Sequence, residues 1–150
     1  MKKLFLNLFV LLALVVTSCS SSDDNDGGAN DNKLTVTIDG QAYTFNTIVV
    51  SEDIDDPDYL TVTATINNQS EKIITFYMSA SSTGSNVVNF VNYYDNGDLY
   101  ESYGSLSTVV SVNNGSRIEA TFSGTVGRWD NDAQELIEAV FTSGSLKVSY

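Results

Sequence analysis

Three groups of side chains in this sequence have types and spacing that could do chemistry. The 150-residue chain has no histidine. That removes the usual general base, the serine and cysteine triads and the commonest metal ligand. Its single cysteine, Cys19, stands where an oily run gives way to "SSSDDNDGGANDN". Glu52, Asp53, Asp55, Asp56 and Asp58 crowd one short stretch. Tyr93, Tyr94, Tyr100 and Tyr103 flank one turn signal, and Trp129 precedes Asp130-Asn131-Asp132.

Clustered carboxylates suit a hard cation such as calcium, which takes several oxygen ligands. The 52–58 spacing matches no metal motif, so this stretch reads as a solvated acidic loop and no metal site is expected. A glycosidase needs two carboxyl groups at a set separation, and here the acids are scattered over loops and outer faces. The glycines fall at turns rather than in a phosphate-binding loop before a helix. No catalytic residue and no cofactor are predicted, and the chain reads as a non-enzyme.

The aromatic residues point to recognition instead. Tyrosine and tryptophan offer a flat apolar body with a polar tip, which suits stacking on a glycan or packing on a protein partner. Tyr93, Tyr94, Tyr100, Tyr103 and Trp129 are therefore the candidate binding residues. The alternative is a structural or adhesive surface protein in which a sheet edge or flat face pairs with another chain. Strands also recruit aromatic residues for cross-strand pairs, and strict alternation prevents Tyr93 and Tyr94 from sharing a face.

Cys19 belongs to a different chemistry. Met1-Lys2-Lys3 is a basic start, and "LFLNLFVLLALVV" follows from Leu4 to Val16. As a helix that run rises only about 20 Å, short of a bilayer core of about 30 Å. Basic flank, short apolar region and small residues at Thr17 and Ser18 predict a removable secretory signal over residues 1–18. Val16-Thr17-Ser18-Cys19 resembles the lipobox of bacterial lipoproteins. The resemblance implies cleavage before Cys19 and lipid attachment to its sulfur, anchoring the protein to a membrane. Residues 19–32 carry no large apolar group and read as a flexible acidic tether. Their Ser22-Asp23-Asp24 run is similar to the tract that in Bacteroidota lipoproteins implies export to the outer face of the outer membrane.

Removing residues 1–18 takes away two of seven basic residues and no acid. Five bases then face nineteen acids, a formal charge of −14. Such a surface repels nucleic acid, so membrane contact must come from the lipid. With Cys19 lipidated, the mature chain has no thiol for zinc or disulfide chemistry.

The elements that must position the aromatic residues are strands. From Lys33 onward the period is two: "LTVTI", "YLTVTATI", "KIITFYMS" and "RIEATFSGTV" each alternate apolar and polar residues, as half-buried antiparallel strands do. Asp39-Gly40, Asn67-Asn68, Asn96-Gly97 and Asn113-Asn114-Gly115 punctuate them as turns. Short links favour neighbours in sequence order, which predicts a meander of about eight to ten strands. It closes as an up-and-down, lipocalin-like barrel or flattens into a sandwich. One domain spans 33–150.

Residues 133–143 are ambiguous. Asp132 and Glu135 read as a helix capping box with apolar residues at helical spacing behind them, while Ile137, Ala139 and Phe141 also alternate. The layout of the domain, with "AYTF" after Asp39-Gly40, "EATFSG" at 119–124 and "TSGSLKV" at 142–148, resembles small Bacteroidota lipoprotein domains of unknown function. That resemblance implies a β-rich envelope protein and a strand over 133–143, and it transfers no functional residue.

Overall fold

The computed structural model describes residues 32–102 and 105–150. The predicted signal over residues 1–18, Cys19, Ser22-Asp23-Asp24, the predicted tether up to residue 31 and Tyr103 lie outside the described residues. The period-two pattern yields ten strands, β1 (Lys33–Ile38), β2 (Gln41–Phe45), β3 (Thr47–Glu52), β4 (Tyr59–Ile66), β5 (Gln69–Ser79), β6 (Val88–Asp95), β7 (Asp98–Glu101), β8 (Ser107–Asn113), β9 (Arg117–Asp130) and β10 (Glu135–Ser149). Every pairing is antiparallel. The fold is an all-β meander that nearly closes into a barrel.

Two interrupted strands bring the sheet round. β2 and β3 are separated only by Asn46; β2 lies along β1 and β3 along β4. One bent strand thus bridges the two ends of the sheet. The seam is pinned where it bends: the Asn46 N–H donates to the Thr65 carbonyl at 3.2 Å. The Asn46 and Asn67 side chains also bond, at 2.7 Å, and the Asn67 N–H donates to Asn46 Oδ1 at 2.7 Å. β7 and β8 both lie along β9, at successive levels. Ten strands therefore make eight staves, a number whose interior side chains can fill.

The two ends of the barrel differ. At one, Asp39-Gly40, Asn67-Asn68 and Asn96-Gly97 are two-residue loops with positive φ at both positions, the condition for a type I′ hairpin turn. The 131–134 loop joins them at this turn end. The opposite, loop end carries residues 53–58, 80–87 and 114–116, and there β1 begins and β10 ends.

Inward positions repeat at every second residue. Leu34, Val36, Phe45, Val62, Ile74, Phe76, Val91, Tyr93, Ile118, Phe122, Phe141 and Leu146 form one core. The bulk is aromatic. Phe76 meets Phe122 edge-on at 5.1 Å, Phe122 meets Phe141 at 6.1 Å, and Phe141 meets Tyr93 at 5.4 Å. This chain of rings joins β5, β9, β10 and β6 across the interior, so the barrel is packed rather than hollow there.

Residues 133–143 resolve in favour of the strand. β10 runs from Glu135, paired with β9 from Asp130 onward, and the Asp132–Glu135 capping box does not form. Asp130 takes the capping role instead. Its Oδ1 accepts the N–H groups of Asp132 at 2.9 Å and Ala133 at 3.0 Å, and Gln134 at φ 55° closes the loop. A strand paired with β9 without a break from Glu135 to Phe141 outweighs the local helix signals, because burial of Ala139 and Phe141 depends on alternation.

Candidate functional site: an outer apolar band at the turn end

The predicted aromatic residues divide between the two sides of the wall. β6 has large side chains on both faces, and its pairing sends Val91 and Tyr93 inward and Tyr94 outward. Tyr93 is 2% exposed, so its ring cannot stack on an external ligand. Tyr100, opposite Tyr93 on β7, packs against it with ring centroids 5.7 Å apart.

The hydroxyl of Tyr93 enters an ionic cluster at the turn end. Lys72 Nζ donates to Tyr93 Oη at 3.1 Å and to Asp95 Oδ1 at 2.6 Å, while Tyr93 Oη donates to Asp95 Oδ2 at 3.1 Å. Lys72 also lies 5.2 Å from the Tyr43 ring centroid, within cation–π range. Burial pushes the Tyr93 hydroxyl up to about 12. Burial works against the Lys72 charge, but the bonds to Asp95 and Tyr93 outweigh it and its pKa rises. Arg128 lies over the Tyr100 ring at 5.6 Å and pairs with Asp98 at 3.2 Å and Asp130 at 3.8 Å. Both cations here are matched by carboxylates. The cluster closes the end of the barrel and offers no surplus positive charge to an anionic ligand.

On the outer face the same register assembles an apolar band. Tyr94 faces Leu99 on β7, and Trp129 faces Leu136 on β10. β7 meets β9 at Glu101 and Gly127; continuing that register sets Leu99 beside Trp129, consistent with Arg128 against Tyr100 one position back. Ile73 on β5 flanks Tyr94 on the other side. Exposure is 38% for Tyr94, 44% for Leu99, 53% for Trp129 and 46% for Leu136. Five strands at about 4.8 Å spacing make this band roughly 19 Å long. The fold thus brings together two predicted residues, Tyr94 and Trp129, and separates them from Tyr93 and Tyr100. Leu99 and Leu136 were missed because a lone exposed leucine carries no signal of its own until a register sets it beside another.

A second aromatic row was also missed. Tyr59, Tyr77 and Phe90 stack across β4, β5 and β6 near the loop end, with centroids 5.0 and 4.9 Å apart and planes within 6° and 12°. Burial raises the Tyr77 hydroxyl pKa, and the nearby Asp53 carboxylate adds to the effect. Asp53 itself is held below the usual carboxylate range, chiefly by the Asp55 N–H. Its Oδ1 accepts the N–H groups of Asp55 at 2.9 Å and Asp56 at 3.3 Å, and Asp56 accepts that of Asp58. The acidic loop spends these carboxylates on its own backbone. Among the described residues no three acidic, cysteine or histidine side chains group so as to hold a metal ion.

A shallow recess of about 490 Å³ lies outside β8–β10, lined by Ser107, Val109, Thr121, Ser123, Ser143 and Ser145. It offers hydroxyl groups and no charged side chain. Neither a protein-family model nor a curated protein matches the chain.

Proposed function

We propose that this is a non-enzymatic, lipid-anchored envelope protein that binds a protein partner through the Tyr94–Leu99–Trp129–Leu136 band. One observation carries the reading: four large apolar side chains, all more than a third exposed, stand in one cross-strand row. Contiguous exposed apolar surface of this kind marks interaction sites, and tryptophan and tyrosine dominate interface energetics. The length of the row and its lack of converging polar groups favour a protein surface over a sugar. Glu138, exposed two residues beyond Leu136 on the same face, favours a partner with basic residues around its own apolar patch.

The anchor fits the same geometry. β1 begins at Lys33 at the loop end, so a tether from a lipidated Cys19 reaches the barrel there. The band, at the turn end, then faces away from the membrane. Ser22-Asp23-Asp24 serve as the export tract.

The binding reading is tested by photo-crosslinking from position 136 in intact cells. It predicts one discrete adduct that disappears in the Trp129→Ala variant; no adduct, or one indifferent to Trp129, overturns it. Retention on a glycan array that Trp129→Ala abolishes would reassign the band to sugar. For the anchor, Cys19→Ala is expected to move the protein from the membrane to the soluble fraction. Replacing Ser22, Asp23 and Asp24 with alanine is expected to protect the domain from protease added to cells.

A further inference from the structure

The bent β2–β3 strand is twice as long as the strand that pairs it. β1 covers β2 from Gln41 to Phe45 and begins only at Lys33, opposite Asn46 in the same register. Among the described residues β3 pairs with β4 on one side and with no strand on the other. The Asp53 N–H donates to the Tyr59 carbonyl, which fixes the parity of the ladder. In an antiparallel pair, backbone groups alternate between the partner and the far side. Those of Thr47, Val49 and Ser51 therefore face β4, and those of Ile48, Val50 and Glu52 face the open edge. The side chains tell the same story: Ile48 and Val50 sit on the core face, opposite buried Ala64 and Val62, yet are only half-buried.

We infer that the open edge of β3 is an acceptor site for an extended strand from a partner protein. The added strand runs antiparallel to β3, along the stretch that β1, beginning at Lys33, does not pair. Main-chain hydrogen bonds supply the affinity of such strand addition, and alternate side chains supply the selectivity. Here two apolar residues of the incoming strand cover Ile48 and Val50. Its leading residues meet Glu52 and the acidic 53–58 loop, so they are lysine or arginine.

Charge and composition decide the occupant. The chain's own residues preceding β1, "NDGGANDN", offer no large apolar side chain to set over Ile48 and Val50 and consist of poor strand formers. A second copy pairing antiparallel through its own β3 would set its acidic loop beyond Thr47. This chain's Glu52 and 53–58 loop would then lack a basic counterpart, and the two acidic chains would repel. Natural sheets usually guard an open edge with lysine, proline or a bulge, and Thr47–Ser51 has none of these. This site is separate from the turn-end band, and either can fail without the other.

The test uses amide hydrogen exchange on the full chain with the synthetic peptide KKTVTVT. In the free protein, the Ile48, Val50 and Glu52 amides should exchange fast and those of Thr47, Val49 and Ser51 slowly. Adding the peptide should protect the first set, and EETVTVT should not. Val50→Pro removes an edge donor without touching the β4 ladder, and it should weaken the peptide by about tenfold. No protection by KKTVTVT at millimolar concentration overturns the proposal, as does equal protection by EETVTVT. Protection in the free protein also overturns it: concentration-dependent protection assigns the edge to a second copy, and protection lost on deleting residues 20–31 assigns it to the chain itself.

Discussion

Tyr93 is a core residue with a polar errand. Its ring packs on Phe141 and Tyr100, and its hydroxyl bridges Lys72 and Asp95. Tyr93→Phe keeps the packing and removes one hydrogen bond of a set in which Lys72 and Asp95 still hold each other. It should lower stability by about 1 kcal/mol in urea denaturation. The pH dependence follows from the raised pKa. A phenol at about 12 when folded and about 10 when unfolded contributes stability that is complete below pH 10. That contribution is lost as pH rises toward 12. The variant should therefore flatten the alkaline limb of a stability–pH profile. Sequence alone did not decide which of Tyr93 and Tyr94 lies inside. "VNFVNYY" has large side chains on both faces, and only the pairing with β5 and β7 sets the parity.

At the scale of elements, most of the layout was readable and two features were not. Asp39-Gly40, Asn67-Asn68 and Asn96-Gly97 demand positive φ, and the chain turns back at each. The 131–134 loop misled because Asp132 and Glu135 mimic a helix cap, while the working cap is Asp130, two residues earlier. Backbone N–H groups of Ala133 and Asp132 hold the Asp130 carboxyl below its usual range. Its contribution is present above about pH 4 and fades as pH falls through the lowered value. Asp130→Asn should make the acid limb of the stability profile less steep. The change of partner along β9, from β8 to β7, was also invisible in sequence. It occurs at Gly124, where φ is +136° and an added Cβ would lie 2.2 Å from the Ser105 carbonyl oxygen and 2.7 Å from Leu106 Cα. Backbone meets backbone there, so Gly124→Ala should cost about 3 kcal/mol or more and show as a lowered melting temperature.

Over the whole molecule, the meander was legible because short links leave few alternatives. The contents of the barrel were not, since inward alternation describes a lined cavity and a filled core equally well. The aromatic chain Phe76–Phe122–Phe141–Tyr93 decides for filling along its path. Phe122→Ala should therefore destabilise by about 3–5 kcal/mol, measured by chemical denaturation. Trp129→Ala, on the outside, should change stability little while removing the crosslink. The seam between β2 and β3 was hidden for a related reason: nothing local in "YTFNTIVV" announces that the strand changes partner at Asn46.

The placement of β1 has a mechanical consequence. It lies between β2 and β10, hydrogen-bonded on both sides, and it starts at the loop end and runs toward the turn end. With the tether and partner proposed above, tension between Lys33 and the turn-end band acts along the axis of β1. The rungs on both flanks are then loaded together in shear, not opened one at a time from an end. The strand nearest the proposed anchor is the one best placed to bear a pull.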